Sequence, residues 1–255
     1  MSGRSDTAGL TVLSRAFAIL DTFVDHPEQT HGSITRATGF SPATVHRLLA
    51  EMVAWGAVER TAWGRYRIGM QLWRLGSQAP AGRALRDLAL PFLQDLLEVT
   101  HEVVHLVVLD ARRALYIEKL EARPDIAVQS QVGRRLPLHA TGPGKVLLAH
   151  APPPLLDEVI AAGLDRHAKR TITDPAALRQ ALAAIRQQGF CLSRDEMTDG
   201  TSSVAAPVRD ARNQVIAAVS VVVPSDDRSL TLLVPPVRMA ALGLSRALAG
   251  PPPGS

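Results

Sequence analysis

GSITRATGFSPATVHRLLAEMVAWGAVERTAWGRYRIG, residues Gly32 to Gly69, is the stretch from which the fold of this chain is read. A short helical piece is predicted over Ser33 to Thr38, running into the turn Gly39-Phe40-Ser41. Ser41-Pro42 then supplies a helix start, with serine at the N-cap and proline at the first helical position. From Ala43 onward the apolar residues Val45, Leu48, Leu49, Met52 and Val53 recur at spacings of three and four, which leaves Thr44, His46, Arg47 and Glu51 on the remaining faces. Gly56 closes this helix. Two β-like runs follow, Ala57 to Arg60 and Arg65 to Gly69, joined by Thr61-Ala62-Trp63-Gly64. The order of elements is that of a helix-turn-helix with a wing.

In such a unit the second helix of the pair enters the major groove and presents its N-terminal side chains to base edges. Ser41, Thr44, Val45, His46 and Arg47 occupy that end. Arg60, Arg65 and Arg67 on the wing are placed to meet phosphates or a neighbouring minor groove, contacts that give affinity and register more than sequence information. Tyr66 is expected to pack inward.

TGFSPATVHRLLAEMVAWGAVER followed by GRYRIG resembles the N-terminal signature of the IclR-type transcriptional regulators. Four further landmarks follow in the order of that family's effector-binding domain. These are Leu136-Pro-Leu-His-Ala-Thr-Gly-Pro-Gly-Lys145, Gly189-Phe-Cys-Leu-Ser-Arg-Asp-Glu196, Ser203-Val-Ala-Ala-Pro-Val-Arg-Asp210 and Ala217-Ala-Val-Ser220. The resemblance covers essentially Leu10 to Ala249. It implies an α+β protein: a winged helix-turn-helix domain over 10–69, a linker helix over 70–82, and a GAF-like α/β effector-binding domain over 83–249 with a mostly antiparallel sheet.

Composition agrees with this reading without identifying it. At 255 residues, 46% hydrophobic and 20% charged, the chain is long enough for two domains with cores of their own. The net charge is only +4, and Met1 to Pro80, with eight arginines, no lysine and six acids, accounts for +2 of it. Specific binding through a few placed arginines fits this balance better than a broad basic surface. A lone cysteine, Cys191, excludes an internal disulfide and suits a reducing compartment, so the expected location is cytoplasmic. Met1 to Gly9 is short and polar, unlike a secretory signal, and the apolar run Val215 to Val223 is too short to cross a bilayer. Residues 1–9 and 250–255 read as disordered tails.

Elsewhere, Thr11 to His26 carries Val12, Ala16, Ile19, Leu20 and Phe23 at helical spacing and offers a surface for dimerisation. Met70 to Gln78 reads as a linker helix, interrupted by Ala79-Pro80-Ala81-Gly82 at the domain boundary. A helix is expected over Arg83 to Thr100, then strands over Val103 to Leu109, Ala114 to Leu120, Ile126 to Val132, Gly189 to Ser193, Val204 to Val208 and Val215 to Val223. Further helices are expected over Gly144 to His150, Pro154 to Ala162, Pro175 to Gln188 and Ser229 to Ala249, the last packing through Leu232, Leu233, Val237, Ala240, Ala241 and Leu244.

His101-Glu102-Val103-Val104-His105 is a literal H-E-x-x-H, the zinc protease spacing. That chemistry needs a helix, because on a strand positions i and i+4 lie roughly 13 Å apart and cannot share one metal. The run Val103-Val104-His105-Leu106-Val107-Val108-Leu109 favours a strand, so no metal site and no catalytic residue is assigned. Cys191, with no adjacent base, reads as a structural thiol. Gly142-Pro143-Gly144-Lys145 lacks the spacing of a phosphate loop and reads as a loop opening a helix.

What remains for the second domain comes from the resemblance. It implies an effector pocket walled by Val128 and Leu136, with Gly142 and Pro143 on the loop that lets a ligand approach backbone. The amides of Gly142 and Gly144 would meet a carboxylate at the helix start. Ser193, Asp195, Ser203 and Ser220 would be the polar positions, and Val222 would make the floor more apolar than in relatives with a second polar residue there. The implied partners are a double-stranded DNA operator, read as a pseudo-palindrome by a homodimer or homotetramer, and a small aliphatic or aromatic organic acid, with no cofactor and no membrane. The alternatives are an enzyme fused to a DNA-binding domain, and a constitutive DNA binder without an effector.

Overall fold

Thr11 starts the first helix by accepting the N–H of Ser14 on its hydroxyl at 3.1 Å, and α1 runs over Val12–Asp21. The computed structural model describes residues 9–24, 26–78, 80–122, 130–225 and 230–250, with the backbone alone at 80–83. The expected tails therefore lie outside the described residues, apart from Gly9 and Gly250. The chain separates into two units, Met1–Arg83 and Ala84–Ser255.

In the first unit, α2 (His31–Thr38) begins two residues earlier than the sequence reading places it. Thr30 and Ser33 form a reciprocal capping box, each hydroxyl accepting the other's backbone N–H at 3.1 and 2.9 Å, which satisfies two amides the helix start would otherwise leave bare. Then α3 spans Pro42–Trp55, with Ser41 capping the Thr44 N–H at 3.3 Å. It ends at Gly56, whose φ of 84° few other residues adopt without strain. The wing strands β2 (Val58–Arg60) and β3 (Tyr66–Ile68) pair antiparallel. A two-residue strand, β1 (Glu28–Gln29), adds to the far edge of β3; two residues carry no periodicity, so the sequence gives no sign of it. Ile19, Phe23, Ile34, Phe40, Val45, Leu48, Leu49, Met52, Val58 and Tyr66 make the core. Gly69 sits against the backbone of the α3 terminus so closely that a Cβ would stand 2.2 Å from the Gly56 carbonyl oxygen. The short helix α4 follows at Met70–Gly76.

α5 spans Pro80–Thr100, and its residues from Ala84 onward belong to the second unit. α4 ends at Gly76 and α5 is a separate helix, but it starts at Pro80, three residues before the expected Arg83, because proline lacks only an N–H that a first turn does not use. Five strands, β4 (Val103–Asp110), β5 (Arg113–Leu120), β7 (Cys191–Arg194), β8 (Thr201–Arg209) and β9 (Val215–Pro224), form a sheet with the short edge strand β6 (Arg135–Pro137). Its order is β6-β5-β4-β9-β8-β7, antiparallel at every pairing. β6 is a strand that the sequence reading does not place. Of the strand expected over Ile126 to Val132, residues 126–129 lie outside the described residues, and residues 130–132 are not strand but lead into the turn at Gly133, whose N–H donates to the Tyr116 carbonyl at 2.8 Å.

The pleat sends alternate residues to opposite faces. Val104, Leu106, Val204, Ala206, Val219 and Val221 pack with Ala89, Leu93 and Leu96 of α5, and with α9 (Val234–Ala249) through Val237, Ala241 and Leu244. On the other face lie α6 (Gly142–His150), α7 (Pro153–Ala161) and α8 (Pro175–Gln188), with Val146, Leu178, Leu182 and Ile185 buried against Val107, Ala205 and Ala218. The single terminal helix expected from Ser229 is instead a 3-10 turn, Leu230–Leu233, followed by α9. Pro235 and Pro236 cannot sit inside a continuous helix and take its first turn. Leu232, expected in the core, is 72% exposed on that turn.

Candidate functional site

Two sites emerge, one in each unit. On the first unit, His46 and Arg47 stand exposed on the opening turns of α3, beside the partly buried Thr44 and the Ser41 cap. The His46 ring lies 6.2 Å from that of His31, which is anchored to the Pro42 carbonyl at 3.1 Å. Arg47 forms an exposed pair with Glu51 at 3.0 Å, an i,i+4 contact weak enough to be exchanged for a phosphate or base. Val45 is a correction: it is fully buried in the core of this unit. One residue along a helix turns the side chain by about 100°, which puts Val45 inward where its neighbours Thr44 and His46 face out.

The wing orders its arginines differently. Arg67 grips Glu59 through two nitrogens at 3.0 and 2.9 Å, and this contact holds the Glu59 carboxyl below its ordinary value. Arg60 lies over the Tyr66 ring at 5.9 Å, and Tyr66 is buried as expected. Arg65 makes no ion pair among the described residues. Next to it, Trp63 at the wing tip is 88% exposed.

On the second unit, a cavity of about 440 Å³ of atom-free space, its mouth included, opens where the N-terminus of α6 meets the sheet. Two rungs of the sheet lie under it, and Ser193, Ser203, Val222 and His105 of them line it. Ser193, Ser203, Val222 and Val103 are paired in register across β7, β8, β9 and β4, and the next rung in the same facing is Cys191, Ala205, Ser220 and His105. Of the expected pocket residues, Leu136, Gly142, Pro143, Ser193, Ser203 and Val222 line this cavity. Ser220 lies beneath it, fully buried, its hydroxyl without a hydrogen-bond partner among the described residues. Val128 falls outside the described residues.

Asp195 is a second correction, because it does not line the cavity. At φ 51° it closes the turn after β7, accepting the Gly200 N–H at 2.7 Å and the Ser225 hydroxyl at 2.8 Å. The Ser225 bond is the main cause of its lowered pKa. The amide of Gly144 is also taken, donating to the Thr141 hydroxyl at 3.2 Å. Pro143 has no N–H, and the Gly142 N–H, at the first position of α6, has no partner within its own helix. Gly142 itself is held by space, since a Cβ there would meet the Ser203 oxygen at 2.5 Å.

The cavity contains residues that the sequence reading does not select: His105, Tyr116, Thr141 and Glu196. Burial pushes the His105 ring down to about 3, with the Lys119 charge adding to the effect, so the ring is neutral. Burial likewise raises the Tyr116 hydroxyl, against a hydrogen bond to Thr141. Glu196 pairs with Lys145, on α6, and accepts the Ser193 hydroxyl at 2.8 Å. A signal for Lys145 is present in the sequence: it is the lone charged residue in GPGKVLLAH, a helix with no polar face to receive it. His105 is visible there only as half of H-E-x-x-H. His101 sits at φ 55° beyond the end of α5 and His105 is inside β4, so the two do not share a helix turn. Cys191, in register with Ala205 and not among the lining residues, is buried, and burial pushes its thiol up to about 11, away from the thiolate a nucleophile needs.

These two sites can be set beside known proteins. Residues 12–62 match the IclR helix-turn-helix domain, and residues 78–246 match the family described as bacterial transcriptional regulator IclR C-terminal. The chain belongs to the IclR family. This IclR-family regulator is 34% identical over 252 residues to the HTH-type transcriptional regulator BhcR of Paracoccus denitrificans, covering 97% of this chain and 90% of that one. It is also 34% identical to XynR of Escherichia coli, covering 94% and 97%. Among solved structures it resembles an IclR homologue from Microbacterium hydrocarbonoxydans complexed with 4-hydroxybenzoate, with TM-score 0.85, 34% identity, and 94% and 100% of the two chains covered. The Thermotoga maritima IclR follows at TM-score 0.73 and 28% identity, covering 93% and 98%. The matched families and relatives are transcriptional regulators and not enzymes, which removes the enzymatic alternative.

Proposed function

We propose that this IclR-family member is a cytoplasmic regulator that binds a pseudo-palindromic operator as a homodimer or homotetramer and is switched by a small organic acid. The division of labour is residues 10–69 for DNA, 70–82 as linker and 83–249 for the effector. Ser41, Thr44, His46 and Arg47 read the major groove, while Arg60, Arg65 and Arg67 hold the backbone, with Trp63 adding apolar contact at the wing tip. The exposed apolar residues Val12, Leu13 and Phe17 of α1, and Trp73 and Leu75 of α4, are what a surface covered by a second copy would carry.

The observation that carries the effector reading is the cavity itself, polar on one side through Ser193, Ser203 and Thr141 and apolar through Leu136, Pro143 and Val222. This mixture suits a small ligand with one oriented polar group. A relative with 4-hydroxybenzoate bound supports the same class of ligand. The acid shifts DNA binding only by the difference in its affinity for two arrangements of the protein. The test is a thermal-shift screen of the purified protein against aliphatic and aromatic carboxylic acids, each hit then titrated for binding to the DNA upstream of its own gene. An acid that raises the melting temperature and changes DNA affinity supports the proposal; a full panel without a shift refutes the acid effector and leaves a constitutive regulator.

A further inference from the structure

The polar inventory of the cavity is unusual in its sign. Its sole buried cation, among the described residues lining or flanking it, is Lys145, and that charge is already committed to Glu196. His105 lines the cavity as a neutral ring, Nε2 within 2.7 Å of the Ser130 hydroxyl and Nδ1 without a hydrogen-bond partner among the described residues. Glu196 lines it as well. Its Oε1 receives both Lys145 and Ser193, but its Oε2 is buried with no hydrogen-bond partner among the described residues. An acid group can therefore find donors at the Gly142 amide and the Ser203 hydroxyl, where the loop approaches the sheet most closely. Near Glu196 it would find an acceptor already carrying negative charge.

We infer that the effector is a bifunctional acid: its carboxylate is taken at Gly142 and Ser203, and a hydroxyl or amino group elsewhere on it donates to Glu196 Oε2. This rests on the acid-effector reading above and adds a specificity rule to it. Ser193 joins the two anchors, since its Cβ lies 3.6 Å from where a Gly142 Cβ would stand while its hydroxyl donates to Glu196. A carboxylate oxygen buried without a donor is costly, and a ligand that supplies the donor recovers that cost. An acid lacking it leaves the oxygen bare, and a diacid sets two anions against each other. Sites built around such a bond reject the analogue without it far more strongly than an apolar pocket rejects a missing methyl group.

The test is calorimetric titration of the full-length protein with matched pairs, 4-hydroxybenzoate against benzoate and 4-hydroxybutyrate against butyrate. The expected result is that in at least one pair the hydroxy acid binds about tenfold or more tightly than its parent. In Lys145→Met/Glu196→Met, which removes the buried pair as a unit, that preference should fall to about threefold or less. Equal affinities within every pair that binds the wild-type protein overturn the inference and leave the acid reading standing, whether or not the double variant folds. A preference that survives intact in the folded double variant also overturns it. If no acid of either pair binds, the inference falls, and the acid reading is decided by the wider panel above.

Discussion

Lys145 on α6 and Glu196 after β7, 51 residues apart in sequence, form an ion pair with 2% and 9% of their side chains exposed. Burying either charge alone is expensive, and the pair is tolerable because each neutralises the other beside the Ser193 hydroxyl. Lys145→Met should therefore destabilise the protein by about 3–5 kcal/mol by stranding Glu196, whereas Lys145→Met/Glu196→Met should melt close to the wild type. Thermal unfolding followed by circular dichroism gives the comparison. A double variant no more stable than the single one would mean that Glu196 is not held by Lys145.

Arg47→Ala and Val45→Ala separate contact from scaffold within one helix. Removing Arg47 should weaken specific operator binding by about 1–3 kcal/mol with an unchanged melting temperature. Val45→Ala, cutting into the core, should lower the melting temperature first. On the wing, Arg65→Ala should reduce the slope of log affinity against log salt by about 0.9, the share of one phosphate contact. Gel-shift titrations at several salt concentrations read both effects, and an unchanged slope would take Arg65 off the DNA backbone.

Gly69→Ala should cripple the DNA-binding unit while sparing the second one. Its φ of −88° suits any residue, so the constraint is space: the added Cβ falls 2.2 Å from the Gly56 carbonyl oxygen and 3.0 Å from its carbon. Backbone cannot swing aside as a side-chain tip can, and the Gly69 N–H bond to the Ala57 carbonyl at 2.8 Å would go with it. We expect a loss of about 2 kcal/mol or more from the first unit, read as lost operator binding with acid binding retained. Normal operator binding by Gly69→Ala would show that this junction yields.

Acid should destabilise the protein through His105. Its folded value of about 3 lies below the ordinary 6.5, so between those limits the unfolded chain binds the extra proton and stability falls as pH falls. At pH 5 the penalty from this one ring is about 2 kcal/mol. Burial lowers His139 and His150 too, and they act in the same direction. His105→Gln should thus flatten, without abolishing, the decline of melting temperature between pH 7.5 and 5; an unaltered decline would remove His105 as a source.

Much of this protein is local enough to be read from its chain. Ser41-Pro42, Gly56 and the stripe Leu48, Leu49, Met52 define α3, because capping and helical periodicity depend on residues within a turn or two of one another. Asp174-Pro175 and Gly189 bound α8 in the same way, and runs of β-branched residues mark β4 and β9. The family landmarks locate most of the cavity wall. Where local signals are weak, at the two-residue β1, at β6 and at the proline-opened α9, the elements had to be seen.

What only the tertiary structure decided is which side chains meet and which way each one faces. Val45 and Thr44 are neighbours in a helix, yet one closes a core and the other borders the exposed face, a matter of about 100° of rotation against partners brought from α1, α2 and the wing. Asp195, adjacent in sequence to a cavity residue, is spent on its own turn through Gly200 and Ser225. Lys145, Glu196, Ser193 and His105 come together because sheet register and the approach of α6 put them at one place, and no pattern within a short window can record a meeting across so many residues. Sequence set the elements and their order through short-range chemistry; the pairing of charges at the cavity came from long-range packing, which alone determines whether a buried charge finds its counterpart.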